Sequence, residues 1–436
     1  MSWRTGASTI LIARPSRRWL QTGVPLLLSL ALTITACGAS SIGGGATTPT
    51  PKPTSTPAPC TGWRIVSSPN MADYAHSDLR SVSAVSPTQA WAVGLAMDAT
   101  QSPPTLQSLV EEWDGTTWRL VASAGFDSLN GVAALAPNDV WAVGGQFNYG
   151  AVGGSPPPER PLILHWDGTS WSVVPSARPA DANAVELESV AAISTHDVWA
   201  VGRQDAGSAH LLQPLVEHWD GSASHVITSP LPQGATNGSL SSVTRIPGTK
   251  QLWAVGQWSS YSVPTLPQPL IEQWTGAAWQ IVTSPTLPSG ALGGTWKGVV
   301  ALSASNAWAV GSYWVKNPVD LHPLIGHWDG ATWATVASPD TFGELNSVAA
   351  AGANDVRAAG THLTGSGASS GDGRRVPLIE QWDGSAWQIV ATPEPSGATS
   401  TPLSITTDGA GAYWAVGSSL SANAATRTQT LILHCP

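Results

Sequence analysis

The 436 residues carry 28 acidic and 19 basic side chains, for a net charge of −9, and only 11% are charged. With four lysines in all, no basic face is available to neutralise phosphates, which argues against a nucleic-acid binder. Gly and Pro number 44 and 35, and Trp 23; such a chain is poor in helix formers and rich in turn formers and strand aromatics.

The opening stretch, MSWRTGASTILIARPSRRW (1–19), is basic and free of acids, and the apolar run VPLLLSLALTITA (24–36) follows it. A basic segment, an apolar segment and a small residue ahead of a cut describe a secretory signal over 1–36. The apolar run is short for a transmembrane helix, which needs about 20 residues. Ile34-Thr35-Ala36-Cys37 resembles the lipobox of bacterial lipoproteins. The resemblance implies that the Cys37 thiol is lipidated and that the protein is anchored on the extracellular face of the bacterial cell membrane. Residues 37–59 are rich in Gly, Thr and Pro, cannot bury a core and read as a semi-extended tether. At roughly 3 Å per residue this tether would hold a domain up to about 60 Å from the membrane.

From Cys60 onward the chain repeats. VWAVG or a near copy places its aromatic at Trp91, Trp141, Trp199, Trp253, Trp308 and Trp414, and Arg357 (RAAG) fills the remaining slot. The seven copies stand about 54 residues apart on average, so the repeats fill 60–436. Each repeat reads as four short strands: L-x-S-V-A-A, as in LESVAAI (187–193); VWAVG; PLIxxW, as in PLILHW (161–166); and W-x-V-V, as in WSVV (171–174). Short β-branched and aromatic segments punctuated by Gly, Pro, Asn and Asp are strand signals. Four per repeat predict an all-β fold, a seven-bladed β-propeller of four-stranded antiparallel blades. A β-solenoid or a pair of sandwiches is the alternative, although long loops recurring at fixed positions suit a solenoid poorly.

The VWAVG and HWDGTSW repeats resemble those of secreted bacterial propellers of the kelch-like or galactose-oxidase-like kind. The D-G-x-x-W turn is similar to the Asp box of sialidase-type propellers, which has one more residue between Asp and Trp and a preceding Ser or Thr. The resemblance implies a fold, and folds of this kind host many activities.

The last copy, LILHCP (431–436), has Cys435 where LILHWDG has Trp166. The body opens CTGWRIV, which aligns Trp63 with Trp171 and Cys60 with Gly168. The N-terminal strand is therefore expected to complete the last blade and close the ring. In other repeats the two aligned positions lie two residues apart across a tight turn, with Cα separations of roughly 5–7 Å, largely within disulfide range. With Cys37 lipidated, Cys60 and Cys435 remain as a pair expected to bond in an oxidising compartment.

The loops GLAMDATQSPPT (94–105), GGQFNYGAVGGSPPPER (144–160) and GTHLTGSGASSGDGRRV (360–376) are long and varied, whereas the S-P-N-D-like turns, such as APND (136–139), and the W-D-G-T turns are tight. Along an up-and-down blade these two sets lie on opposite rims, so recognition is expected on the variable rim. Trp258, Trp296 and Trp314 fall outside the repeat frame, with Tyr261, Tyr313 and Lys316 close by. They are predicted to form an exposed aromatic platform for a sugar ring or a protein anchor; packing long loops onto the blades is the competing role. The residue after the leading apolar position of the first strand is Arg80, Asn130, Glu188, Ser241, Lys297, Asn346 or Ser404. This set is predicted to ring the mouth of a central channel, either hydrated or holding a small polar ligand or an ion.

The aspartates Asp114, Asp167, Asp220, Asp329 and Asp383 recur at one repeat position. Copies spread around a ring cannot converge on one substrate, so they are assigned to turns. His165, His218, His327 and His434 are equally locked to the repeat, which argues against a shared metal site. No HExxH or Walker A pattern occurs, and no catalytic residue, metal or cofactor is predicted. The expected function is that of a monomeric surface lipoprotein binding an extracellular glycan or protein. The alternatives are a sialidase-like glycan hydrolase or lyase, and a non-catalytic scaffold or assembly factor for a membrane complex.

Overall fold

A computed structural model describes residue 60 and residues 62–436, apart from the segments 72–73, 99–103, 123–127, 148–157, 208–210, 261–265, 316–319, 341, 365–373, 396–398 and 421–426. The signal and tether read over 1–59, including Cys37, lie outside the described residues. Among those described, every regular element is a strand, and no helix is long and apolar enough to cross a membrane.

Five sheets hold four strands each in sequential order, and a sixth holds eight. The eight are two further four-stranded sets joined by one parallel bridge, His76 to Thr428. In one of these sets Arg64–Val66 pairs antiparallel with Thr428–Cys435, Arg64 opposite His434 and Val66 opposite Ile432. The first strand of the domain thus completes the last sheet, as the broken repeat implied. Cys60 and Cys435 are disulfide-bonded with Cα atoms 5.5 Å apart, inside the range such a bond requires.

The architecture is a β-propeller, and its sheets stack through tryptophan. The VWAVG strand is apolar on both faces; Ala90, Trp91, Ala92 and Val93 are all buried, as expected of a strand between two neighbouring sheets. Its Trp packs into a pair of Trp side chains from the third and fourth strands of an adjacent repeat. Trp91 lies 5.1 Å from Trp166 and 5.5 Å from Trp171, Trp253 lies 5.1 Å from Trp328 and 5.3 Å from Trp333, and Trp414 lies 4.9 Å from Trp113 and 5.2 Å from Trp118. Tilted and edge-to-face pairs of this kind contribute about 0.5–1.5 kcal/mol beyond the area they bury.

Along the centre, the first strands are tied by one recurring hydrogen bond. The backbone N–H groups of Val132, Val243, Val299, Ile405 and Val82 donate to the hydroxyls of Ser81, Ser189, Ser242, Ser347 and Ser404 in the preceding repeat. The last of these bonds links the seventh repeat to the first. Where the serine is absent the residue is Gly131 or Gly298, and the strands approach more closely. A β-carbon on Gly298 would lie 2.9 Å from Ser347 Cα.

Farther out, four buried glutamates are held across neighbouring repeats. Ser68, Ser176, Ser229 and Ser338 donate to the carboxylates of Glu111, Glu217, Glu272 and Glu380 at 2.7–3.0 Å. Burial raises all four carboxyls, Glu111 and Glu272 to about 8 and Glu217 and Glu380 to about 7. The equivalent position is Leu164, Gly326 or Leu433 in the other three repeats. Ahead of Gly326 and Leu433, the hydroxyls of Ser284 and Thr392 turn to carbonyls of their own repeat, Pro269 and Pro377.

Candidate functional site: a funnel on the variable rim

Each first strand carries a β-bulge at the same place, shown by register shifts between Leu79 and Ser81, Leu129 and Gly131, Leu187 and Ser189, Leu240 and Ser242, Trp296 and Gly298, Leu345 and Ser347, and Pro402 and Ser404. A bulge puts one unpaired residue on the strand and re-aims its side chain. The bulged residues are Arg80, Asn130, Glu188, Ser241, Lys297, Asn346 and Leu403, and all seven line one cavity of about 740 Å³. Six of these are the residues expected at the channel mouth. At the seventh place the bulge falls on Leu403, one residue before the expected Ser404. Ser404 ties its strand to Val82 and lines a smaller cavity with the same six residues.

The rest of the lining comes from the parts of the strands that run into the variable loops: Asp78, Ser239, Thr295 and Glu344 before the bulge, and Arg203, Gln257, Ser312, Trp314 and Leu321 beside the loop that follows the second strand. The cavity is therefore a funnel opening on the variable rim, and its two sides differ. One carries ion pairs: Arg203 to Glu186 and, at 3.0 Å, to Glu188, and Arg80 to Asp78 at 3.6 Å and to the Asn130 amide oxygen at 2.6 Å. The other is a wall of hydroxyls and one amide (Ser239, Ser241, Gln257, Thr295, Ser312) with the Trp314 ring set into it and Lys297 paired to Glu344 at 3.5 Å. Burial raises the carboxyls of Asp78 and Glu188, and Glu186 beside Glu188 raises the latter further. Among the described residues no group of three or more His, Cys, Asp or Glu side chains is placed to hold a metal ion.

The off-frame aromatics do not form one platform. Trp314 is half-buried in the funnel lining. Tyr313, its chain neighbour, packs against a buried cluster and stacks on His322 at 5.2 Å, as successive residues of a strand face opposite sides. Trp258 lies opposite Gly238 and lines a different, largely apolar groove with Pro232, Gln268 and Leu287. Tyr261 and Lys316 lie outside the described residues.

Trp296 overturns the expectation of exposure altogether. It is 0% exposed and belongs to the core with Trp253, Leu324 and Trp333. It replaces the leucine of other first strands, and its ring covers Gly326, whose β-carbon would lie 2.9 Å from the ring. A large residue has entered where a neighbour became small, which keeps the packing volume. The sequence signal was available in PLIGHW (323–328), where a glycine stands at a position held elsewhere by Glu or Leu.

The recurring aspartates cap the outer turns. Asp167 Oδ1 accepts from the Thr169 and Ser170 N–H groups and the Thr169 hydroxyl, while Gly168 holds φ at 97°, the left-handed region. These bonds hold the carboxyls of Asp114 and Asp167 down to about 2. The histidines are similarly structural: His218 stacks on Trp199 at 4.1 Å and reaches Asp197 at 2.8 Å.

No protein-family model matches the chain, and no curated protein does. Among solved structures it is similar to YCF48 bound to a D1 peptide, at 15% identity over 89% of this chain and 100% of that one, with a TM-score of 0.49. It is also similar to the fucose-recognising Aleuria aurantia lectin, at 13% identity over 73% and 96% of the two chains, TM-score 0.40, and to Trypanosoma rangeli sialidase, at 10% identity over 82% and 54%, TM-score 0.43. At these identities and scores the likenesses carry no argument about what this chain binds or does.

Proposed function

We propose that the chain is a lipid-anchored extracellular binding module, a seven-bladed propeller that takes a glycan end in the funnel on its variable rim. Seven repeats of four strands, five of their junctions tied at the centre by a serine hydroxyl, that of the seventh repeat with the first among them, support the blade count. The signal over 1–36, Cys37 in its lipobox-like setting and the tether over 37–59 support placement on the outer face of a bacterial membrane. The carrying observation for the ligand is that Trp314 lines one cavity together with the hydroxyl residues Ser239, Thr295 and Ser312 and the amide of Gln257. A flat apolar face beside hydroxyl and amide groups matches a sugar ring, which has an apolar face and a polar edge. The funnel's cations each have an acidic partner, which suits a neutral ligand better than an anion.

A glycan array probed with the purified protein tests this reading. Wild type should bind a restricted set of glycans, and Trp314→Ala should lose about tenfold or more in affinity with its melting temperature unchanged. Absence of glycan binding, or equal binding by the variant, overturns the reading and leaves a protein partner, to be sought among surface proteins. A hydrolase or lyase is the second reading, favoured by one observation: Glu188 lines the cavity, its carboxyl raised by burial and by Glu186 against the opposing pull of Arg203 at 3.0 Å, and a carboxyl raised in a cavity is a candidate proton donor. Release of product from bound glycans, lost in Glu188→Gln, would establish it.

A further inference from the structure

Six repeats place Trp in the slot that joins neighbouring sheets, and the sixth repeat places Arg357 there. This arginine is 0% exposed. Its Nη1 lies 2.6 Å from Cys60 Sγ and 3.8 Å from Cys435 Sγ, its Nη2 donates to the Cys60 carbonyl at 3.4 Å, and its Nε donates to Asp355 at 3.2 Å. The guanidinium also lies 4.4 Å from the centre of the Tyr413 ring. Its Nη1 side therefore points a buried positive charge at a disulfide. A disulfide sulfur is a weak acceptor without charge, whereas a thiolate in that place would be a full counter-ion. Asp355 already pairs the guanidinium at Nε, and a thiolate at Cys60 would give its Nη1 side a second counter-ion.

We propose that the seam is a thiol–disulfide exchange site, in which Arg357 holds Cys60 as a thiolate once the Cys60–Cys435 bond is opened by an external dithiol. The step balances as a two-electron exchange. The dithiol closes its own S–S bond and gives two electrons, the Cys60–Cys435 bond breaks, Cys435 takes one of the two protons and the other goes to solvent. The other ionisable groups at the seam do not take the role of Arg357. Asp355 is on the far side of the guanidinium at Nε. The Tyr413 hydroxyl is bonded to the Asp355 carbonyl and the Ala351 N–H. His434, next to Cys435, stacks on Trp414 at 3.8 Å and meets Arg64 at 3.2 Å.

The test equilibrates the full chain with mixtures of reduced and oxidised dithiothreitol, then counts free thiols after alkylation. Replacing Arg357 by Met should shift the equilibrium about tenfold or more toward the disulfide, and R357K should stay closer to wild type. An R357M midpoint equal to wild type overturns the proposal. A second measurement needs no variant: thiolate ultraviolet absorbance of the reduced wild-type protein against pH. A midpoint well below the ordinary value of about 8.5 supports the proposal. A midpoint at or above that value, or loss of the fold on reduction, overturns it. Neither readout depends on what the funnel binds.

Discussion

Two kinds of joint hold neighbouring repeats together, and they occupy the same slots. In the ordinary joint, a second-strand Trp enters a pair of Trp rings, as Trp308 does between Trp382 and Trp387 at 5.0 and 5.3 Å. At the seam the second-strand residue is Arg357, the third-strand Trp is Cys435, and only Trp63 of the pair remains. Five of the six joints with a second-strand Trp have both partner rings, and Trp141 meets only Trp219, at 6.1 Å, because Ser224 opens the fourth strand of that repeat. In all six the third and fourth strands are joined by a tight turn. At the seam that turn is missing, because the fourth strand comes from the other end of the domain. A covalent bond between Cys60 and Cys435 replaces it. The difference teaches that a joint without its covalent turn and with fewer aromatic rings carries a covalent bond of another kind.

The largest effect should come from opening that link. The loop it closes spans 375 residues, and losing a long-loop disulfide costs up to about 5 kcal/mol in the chain-entropy model. Cys435→Ser should lower the calorimetric melting temperature clearly, and an unchanged curve would erase the contrast between the joints. Next comes the packing exchange inside an ordinary region. Trp296→Ala should cost about 3–5 kcal/mol. Trp296→Leu combined with Gly326→Glu, which restores the pairing found in other repeats, should recover much of it in denaturant unfolding. A double variant as weak as the single one breaks the volume-exchange account.

A smaller effect should follow from pH. Glu111, Glu217, Glu272 and Glu380 have carboxyls raised from 4.5 to about 7 or 8 by burial. A raised acid contributes stability that is whole below its unfolded value and is lost as pH climbs through the folded one. Stability should therefore fall between about pH 4.5 and pH 8. The turn aspartates work in the opposite sense, their contribution vanishing only as pH drops toward about 2. Glu272→Gln keeps the acceptor for Ser229 and should flatten part of the decline in melting temperature; an identical slope would remove that carboxyl as its source. The seam has no such glutamate, since the equivalent position is Leu433, so its variants should leave the slope alone.

Much of this was legible in the chain because repetition reports itself. The spacing of VWAVG, the D-G turns and the split copy at Cys60 and Cys435 all stand in register with six other examples, and each found its expected place. Arg80, Asn130, Glu188, Ser241, Lys297 and Asn346 line up in the sequence for the same reason, and they lie together in the lining of one cavity. What failed did so where one repeat departs from the rest. Ser404 was placed one residue off because Pro402 disguises the leading apolar position. Trp296 read as exposed because its compensation, Gly326, lies on another strand 30 residues away.

The sequence by itself determined the strands, the turn chemistry and the pairing of the chain's two half-repeats, since these depend on local pattern and on comparison among copies. Only the tertiary structure decided which aromatics face solvent, that the serine hydroxyls answer backbone donors of the next repeat, and that Trp314 alone of the off-frame tryptophans joins the polar ring. Those outcomes depend on what side chains from separate repeats leave empty or unpaired, and in a close-packed interior that is settled by neighbours in space.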